Sequence, residues 1–293
     1  MIERLVAVDW SGDKSKSGQK RKIWAGIWTH DGSVALRNGF TREELTTTLT
    51  DLATETPKMV VGVDFCFSYP AWFLRELGMG TAAEFWDLVA NLHGERWLST
   101  ECDEMRFWGR RGPNRDGKTP PEFCGENRHR MFRLADAACK IKGKILRQAD
   151  ADKVRGIAPK SPFQIGGAGA VGTGTLRGIP MLRDLRREGF SVWPFDVPKL
   201  PLVLEIYPRL LTGEVKKSQA DGRRNYLAGR VAEDERYQRL SKDVLDQARS
   251  SEDAFDALVS VMVMAEHQGD FLSLRQAEDE TTRLEGAVWG AGV

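Results

Sequence analysis

Three short apolar runs in the sequence each end at an acidic residue, and this recurrence constrains the fold more than any other feature. The acidic residues are Asp9, Asp64 and Glu205, and the runs before them are Leu5–Val8, Met59–Val63 and Leu202–Leu204. Runs this short and apolar are typical of buried strands. In an open α/β sheet, ligands bind beyond the carboxyl ends of the strands. We therefore expect the three carboxylates to lie together at one edge of a sheet.

A helical segment further along the chain adds two more carboxylates. Asp253 and Asp256 are three residues apart, so on a helix they share one face. Carboxylates gathered in one place raise each other's pKa, and a divalent cation relieves their repulsion. Oxygen ligands favour Mg²⁺ or Mn²⁺, and two such ions about 3.5–4 Å apart can promote phosphodiester cleavage. The sequence therefore predicts an acidic metal site formed by Asp9, Asp64, Glu205, Asp253 and Asp256.

Each of these acids also has a structural interpretation. An aspartate at the end of a strand is often a turn former or a helix cap. Asp253, near the start of a helix, can cap it or interact with its dipole. Glu205 can pair with one of the many arginines of the chain. The threefold recurrence of strand, acid and turn favours the metal site over these alternatives.

The first 65 residues predict the element order β-β-β-α-β. Strands are placed at Leu5–Val8, Ile23–Trp28, Ser33–Phe40 and Met59–Val63, and a helix from Thr41 to about Thr54. Thr41 is a good N-cap, and Glu43 and Glu44 form an acidic first turn. This order differs from the regular βαβ alternation of doubly wound nucleotide-binding folds. We expect one α/β domain over 1–293, built on a mixed sheet.

Elements in the rest of the chain are less regular. Helices are expected at 81–93, 128–147, 181–188 and 252–267, and strands at 190–195 and 202–204. Loops are expected at 13–22, at 108–124 and in the glycine-rich stretch 166–178. A large insertion, mostly helix and loop, is placed at about 94–160.

That insertion is the basic part of a chain with little net charge. The whole chain carries +1, but residues 94–160 hold 16 Lys/Arg against 10 Asp/Glu. Such a surplus is either a solvated face or a wall that contacts a polyanion. Within it, Arg128, His129 and Arg130 are the best candidates for phosphate contacts.

The sequence also bears on compartment and membrane association. Nothing in it resembles a signal peptide, and no apolar stretch approaches the length needed to span a bilayer. The four cysteines show no CxxC spacing, which favours reduced thiols over a zinc site. We therefore expect a cytoplasmic protein without a membrane partner, and the sequence leaves the oligomeric state open.

Five motifs of the chain resemble those of an uncharacterised family, DUF family number 429, whose members are predicted to be RNase H-like proteins. They are V-A-V-D-W-S-G at 6–12, V-V-G-V-D-F at 60–65, L-E-I-Y-P at 204–208, E-D-A-F-D-A-L at 252–258 and E-G-A-V-W-G at 285–290. The fourth also resembles the last helix of RuvC-type Holliday-junction resolvases. The resemblance implies an RNase H-like fold with a two-metal site at Asp9, Asp64, Asp253 and Asp256. Glu205 fits only the family's own E-x-Y-P motif.

A different interpretation rests on the glycine-rich stretch. Gly167, Gly169 and Gly172 satisfy G-x-G-x-x-G, and Asp196 follows 24 residues after the last of them. This spacing is typical of dinucleotide binding, provided that Pro162–Ile165 forms the preceding strand. Otherwise the glycines belong to a flexible loop over the acidic site, where the backbone can approach a phosphate.

Two further alternatives keep the RNase H-like fold but change the function. D-W-S-G at 9–12 could be a phosphate loop of an actin-like ATPase or sugar kinase, although such proteins normally carry two copies of the domain. The chain could also be a non-catalytic binder of nucleic acid or protein. Our leading hypothesis is a metal-dependent nuclease that hydrolyses phosphodiesters in DNA or RNA with Mg²⁺ or Mn²⁺. Glu205 would be a further ligand or a water-orienting base.

Overall fold

The main sheet of the protein is mixed and has seven strands. The computed structural model describes residues 1–102, 104–112, 115–116, 128–139 and 160–290. The strands are β1 (Arg4–Asp9), β2 (Trp24–Thr29), β3 (Val34–Arg37), β4 (Met59–Val63), β5 (Arg111–Gly112), β6 (Arg115–Asp116), β7 (Ser191–Val192), β8 (Leu202–Ile206) and β9 (Val288–Trp289). β5 and β6 form a separate two-stranded sheet.

The strand order of the main sheet is β3-β2-β1-β4-β8-β7, and β9 also pairs with β8. β1, β2 and β3 are antiparallel neighbours, whereas β1, β4 and β8 run parallel. The predicted α/β class and mixed sheet are therefore confirmed. Because β1, β4 and β8 are parallel, their carboxyl ends meet at one edge of the sheet.

Helices cover both faces of this sheet. They are α1 (Lys16–Lys22), α2 (Arg42–Glu55), α3 (Ala71–Glu76), α4 (Ala82–Leu88), α5 (Gly94–Leu98), α6 (134–139), α7 (Gly172–Arg187), α8 (Pro208–Thr212), α9 (Ala220–Glu233), α10 (Glu235–Gln238), α11 (Lys242–Ser250), α12 (Glu252–Glu266), α13 (Asp270–Ser273) and α14 (Glu280–Glu285). A π-helical turn spans Val89–His93, and a 3₁₀ turn spans Arg128–Met131. Alternate residues of β1 enter different cores: Val6 and Val8 pack on the α2 side, Leu5 and Ala7 on the α12 side.

Two helices, α2 and α12, begin at side-chain caps that are recognisable in the sequence. Thr41 caps α2 in a capping box, in which its hydroxyl accepts from the Glu44 amide and the Glu44 carboxylate accepts from the Thr41 amide. Ser251 caps α12 by accepting from the Ala254 amide. The helices predicted to begin at Thr41 and near Glu252 are confirmed.

The loop predicted at 13–22 is wrong, because most of it is α1. Ser15 caps this helix by accepting from the Gly18 amide. Gln19 is buried, and its side-chain oxygen accepts from the Arg42 amide at the start of α2. A buried amide in tertiary contact therefore stabilises a helix that has no apolar stripe of its own.

The glycine-rich loop predicted at 166–178 is also wrong in its second half, where α7 begins at Gly172. A β-carbon at Gly172 would collide with the Pro162 carbonyl oxygen, and one at Gly178 would lie 2.6 Å from the Phe65 ring. These glycines serve close packing of a helix rather than chain flexibility.

The described parts of the insertion at about 94–160 contribute several residues to the core. Phe107, Met131 and Arg133 are buried. The helix predicted at 128–147 is observed as the 3₁₀ turn and α6, and residues 140–147 lie outside the described residues. In the loop predicted at 108–124, β5 and β6 are described, and residues 117–124, with Cys124, are outside that set.

Within the described ranges, none of the helices combines the length and apolarity needed to cross a bilayer. Cys66, Cys102 and Cys139 are buried, and no disulfide joins them.

Candidate functional site

Asp9 and Asp64 lie side by side at the carboxyl edge of the sheet. Asp9 is the last residue of β1, and Asp64 directly follows β4. The two strands pair in parallel with Val8 opposite Val63, and the Asp64 amide donates to the Val8 carbonyl at 3.1 Å. Both carboxylates are half-buried. The parallel pairing thus brings two residues that are distant in sequence to one place.

Helix α12 adds a third carboxylate, that of Asp256. The helix packs across β1 and β2, and Asp256 is only 3% exposed. Close approach is possible because β2 has Gly26 here: a β-carbon would lie 2.5 Å from the Ala257 carbonyl oxygen. Asp9, Asp64 and Asp256 thus come from two strands and one helix.

The three carboxylates interact strongly enough to disturb their ionisation. Burial raises the pKa of Asp9 well above its usual range, and the negative charges of Asp256, Asp64 and Asp253 raise it further. Burial also raises the pKa of Asp64 and of Asp256, and Asp256 adds to the effect on Asp64. Such clustering of perturbed carboxylates is typical of functional sites, since a stable core would not gather like charges.

Lys217 lies within this acidic group, and the sequence analysis missed it. Its ammonium donates to Asp256 Oδ2 and lies 3.8 Å from Glu252 Oε1. It also attracts Asp9 and Asp64 electrostatically. No periodicity or motif in the sequence singles out one lysine of a polar segment, so only the tertiary structure identifies it.

The acidic group is not arranged as a ready-made metal cage. Across the described residues, no set of three or more His, Cys, Asp or Glu side chains is placed to hold a metal ion together. One atom nevertheless requires a partner: Asp256 Oδ1 is buried and has no hydrogen-bond donor. A buried carboxylate oxygen without a partner is costly, and a hard divalent cation is the ligand its chemistry suits. The unpartnered Asp256 oxygen, rather than a complete set of ligands, is the feature that suits a cation here.

The structure places Glu205 in a buried ion pair instead. Arg133 donates to both of its oxygens, at 2.6 Å to Oε1 and 2.8 Å to Oε2, and the Phe67 amide donates to Oε2 at 2.9 Å. Arg133 also pairs with Asp136 at 2.9 Å. Although Glu205 still affects Asp64 electrostatically, its oxygens are engaged by these donors.

Asp253 lies at the periphery of the acidic group, in the first turn of α12. It is half-buried, and burial followed by the charge of Glu252 raises its pKa. Lys217, Lys22 and Arg21 oppose that rise. The DxxD pair predicted from sequence therefore contributes unequally, with Asp256 in the centre and Asp253 towards a basic rim.

Two arginines hold the turn that follows β1. Arg42 donates to the carbonyls of Ser11 at 3.2 Å and Asp13 at 2.8 Å, and Arg177 donates to the Gly12 carbonyl at 2.5 Å. Arg177 is buried and also pairs with Glu95. Three successive carbonyls are thus fixed by guanidinium groups. The D-W-S-G motif alone does not predict this support, because both arginines are distant from it in sequence.

A cleft of about 540 Å³ opens between this turn and the glycine-rich segment. Asp64 lines it on the sheet side. Lys22, Arg110 and Lys160 line it with positive charge, and Gly167 and Gly174 bring backbone to its wall. A cleft with carboxylates at one side and cations around it suits an anionic ligand.

The glycine-rich segment lacks the context of a dinucleotide fingerprint. Residues 162–165 make one isolated bridge, between Gln164 and Trp108, instead of a strand of the main sheet. Gly167 and Gly169 have positive φ, and the Gln164 amide donates to the carbonyls of Gly166 and Ala168. Asp196, the acid at the spacing typical of dinucleotide binding, is paired with Arg186. The strand that this interpretation requires is therefore not observed.

Of the three phosphate ligands proposed in the insertion, only Arg130 has a side chain among the described residues. The side chains of Arg128 and His129 lie outside the described residues, although their backbone belongs to the 3₁₀ turn. Arg130 is exposed and stacks over the Trp72 ring at 5.1 Å. Arg106 and Arg133, also in the insertion, are engaged in ion pairs with Glu104 and Glu205. Part of the basic surplus therefore stabilises the fold.

Comparison with known proteins does not assign the chain to a family. No protein-family model, no curated protein and no solved structure matches the chain significantly.

Proposed function

We propose that the protein is a metal-dependent phosphodiester hydrolase that acts on nucleic acid, built on an RNase H-like fold. The observation that carries this proposal is the meeting of Asp9, Asp64 and Asp256 at one sheet edge, with Asp256 Oδ1 buried and without a partner. Three antiparallel strands, a helix and a parallel fourth strand support the fold assignment. The carboxylates would hold Mg²⁺ or Mn²⁺.

The bound ion would supply charge to activate water and to stabilise the leaving oxygen. The chain's own residues position the reaction. Asp9 and Asp64, at the strand ends, and Asp256, on α12, would hold the cation, and Arg42 and Arg177 fix the adjacent turn. Lys160 and Arg110 line the cleft and would contact substrate phosphates. The cleft's charge pattern favours a nucleic acid over an uncharged substrate.

A divalent-metal titration combined with a panel of DNA and RNA substrates tests the proposal. Wild type should bind Mn²⁺ and cleave at least one nucleic-acid form, and Asp9→Asn and Asp256→Asn should lose both properties. Asp51→Asn, which changes an exposed aspartate of α2, is the matched control and should behave as wild type. Absence of Mn²⁺ binding and of cleavage in the wild type would overturn the proposal. ATP hydrolysis by the same preparation, without nuclease activity, would indicate a kinase-like phosphotransfer protein instead.

A further inference from the structure

Lys217 lies on the short segment between α8 and α9, yet its ammonium reaches the centre of the acidic group. It donates to Asp256 Oδ2, and Asp9 and Asp64 attract it as well. Its side chain is three-quarters buried, at 26% exposure. The group that balances the carboxylates in this structure is therefore part of the chain.

The main chain at Lys217 is held in place by Arg223 of α9. The Arg223 guanidinium is buried and donates to the Lys217 carbonyl. It also donates to the carbonyls of Arg249, at 3.0 Å, and Ser250, at 3.3 Å, just before α12. One side chain thus ties the segment that carries Lys217 to the end of α11, which leads directly into the helix that carries Asp256. This support distinguishes Lys217 from a surface lysine that folds over an acidic patch.

The two oxygens of Asp256 define two cation positions. Oδ2 accepts from Lys217, whereas Oδ1 is buried without a partner. Glu252 and Asp253 add further negative charge around this group, so total charge does not fix the number of ions. The oxygens do: a carboxylate that bridges two divalent ions offers one oxygen to each, and Lys217 occupies one oxygen of Asp256.

We propose that the Lys217 ammonium is a permanent cation of this site, so that the carboxylates bind a single divalent ion beside it, at the Asp256 Oδ1 side. Removal of Lys217 opens the second position to another divalent ion. This inference rests on the proposed function and replaces the two-metal arrangement implied by the sequence resemblance with one metal and one lysine. Lys217 then acts as a positioning residue that orients Asp256.

The test is the number of Mn²⁺ ions bound per chain, measured by calorimetric titration and by electron paramagnetic resonance of bound Mn²⁺. We expect one ion in wild type and in Lys217→Arg, which keeps the charge. We expect two ions in Lys217→Met, with magnetic coupling between them. Lys216→Met changes the exposed neighbouring lysine and should bind one ion. Thermal unfolding of each variant shows that it is folded.

Two ions in wild type, or one ion in folded Lys217→Met, would overturn the inference. Should Lys217→Met fail to fold, two ions in wild type or in Lys217→Arg would still overturn it. Failure of the proposed function looks different: wild type would bind one Mn²⁺ yet cleave no nucleic acid. A wild type that binds two ions and cleaves nucleic acid would leave the proposed function intact and remove only the role of Lys217. No Mn²⁺ binding by any variant would overturn both.

Discussion

The Lys217 ammonium donates to one carboxylate oxygen of Asp256, while the other oxygen of the same carboxylate is buried without a donor. This asymmetry within one side chain gives the acidic group a lysine cation at one oxygen and leaves the other oxygen for the divalent ion that we propose. In this respect Asp256 differs from Glu205, whose two oxygens both accept from Arg133.

Glu205→Gln should change stability much more than metal binding. Because Arg133 holds both Glu205 oxygens in a buried ion pair, loss of the charge should lower the free energy of unfolding by about 3 kcal/mol. The dissociation constant for Mn²⁺ should stay within about twofold of wild type. Urea denaturation and calorimetric titration measure the two effects. A large loss of Mn²⁺ affinity in a stably folded Glu205→Gln would make Glu205 a metal ligand after all.

Arg133→Met should destabilise the protein more severely. It leaves Glu205 and Asp136, which are 3% and 6% exposed, without their common cation. Removing one partner of a buried ion pair typically costs about 3–5 kcal/mol. Urea denaturation should show this loss.

The double variant Arg133→Met/Glu205→Gln provides the control for that experiment. It no longer leaves the Glu205 charge unpaired, so it should recover part of the stability lost in Arg133→Met. Additive losses in the double variant would contradict the ion-pair interpretation.

The stability of the metal-free protein should fall as the pH rises from about 5 to about 8. Burial and the charge of Asp256 raise the pKa of Asp64 to about 7, so the folded state binds a proton that the unfolded state has already released. The stabilising contribution is complete below the unfolded pKa and is lost as the pH rises through the folded one. Thermal unfolding midpoints across this range measure it.

Asp64→Asn isolates this effect, because subtracting its pH profile from that of wild type removes the contributions of other groups. The variant's midpoint should decline less steeply with pH. Added Mn²⁺ should reverse the wild-type trend, since protons compete with the metal for the carboxylates. Identical slopes in wild type and variant would be inconsistent with the raised pKa.

Gly26→Ala should weaken both the fold and metal binding. The added methyl group would lie 2.5 Å from the Ala257 carbonyl oxygen and 3.0 Å from Val261 Cγ1, so α12 must shift. Overpacking of this kind costs about 1–3 kcal/mol. The displacement of Asp256 should weaken Mn²⁺ binding by roughly tenfold.

Gly229→Ala is the matched substitution for Gly26→Ala. Gly229 lies within α9, where a β-carbon would meet no neighbouring atom. Alanine should therefore raise stability by about 0.5–1 kcal/mol through helix propensity and leave Mn²⁺ affinity unchanged. Equal losses in both glycine variants would show that α12 tolerates the added volume.

The sequence predicts well those parts of the fold whose signals are local. β4 occupies Met59–Val63 as expected, and α2 begins after Thr41 because both halves of a capping box are present. Asp9 and Asp64 come together because strands of this apolarity pair in the interior. The first two outcomes depend on residues that are close in sequence, and the third on the apolarity of each strand, which is also a local signal.

The missed features depend on contacts between distant segments. α1 is stabilised by Gln19 contacting the start of α2, and α7 uses its glycines to pack closely on Phe65 and Pro162. Lys217 reaches Asp256 across 39 residues, and Arg133 reaches Glu205 across 72. A single lysine or arginine carries no periodic signal, so its partner can be identified only once the sheet and helices are in place.

The order in which the chain is synthesised has a consequence for the acidic group. Asp9 and Asp64 can pair through β1 and β4 early in translation, but Asp256 belongs to α12 and leaves the ribosome long afterwards. A nascent chain therefore has two neighbouring aspartates without the helix that supplies the third. Fragments released by interrupted translation before α12 would lack Asp256 and, under the proposed function, would be inactive.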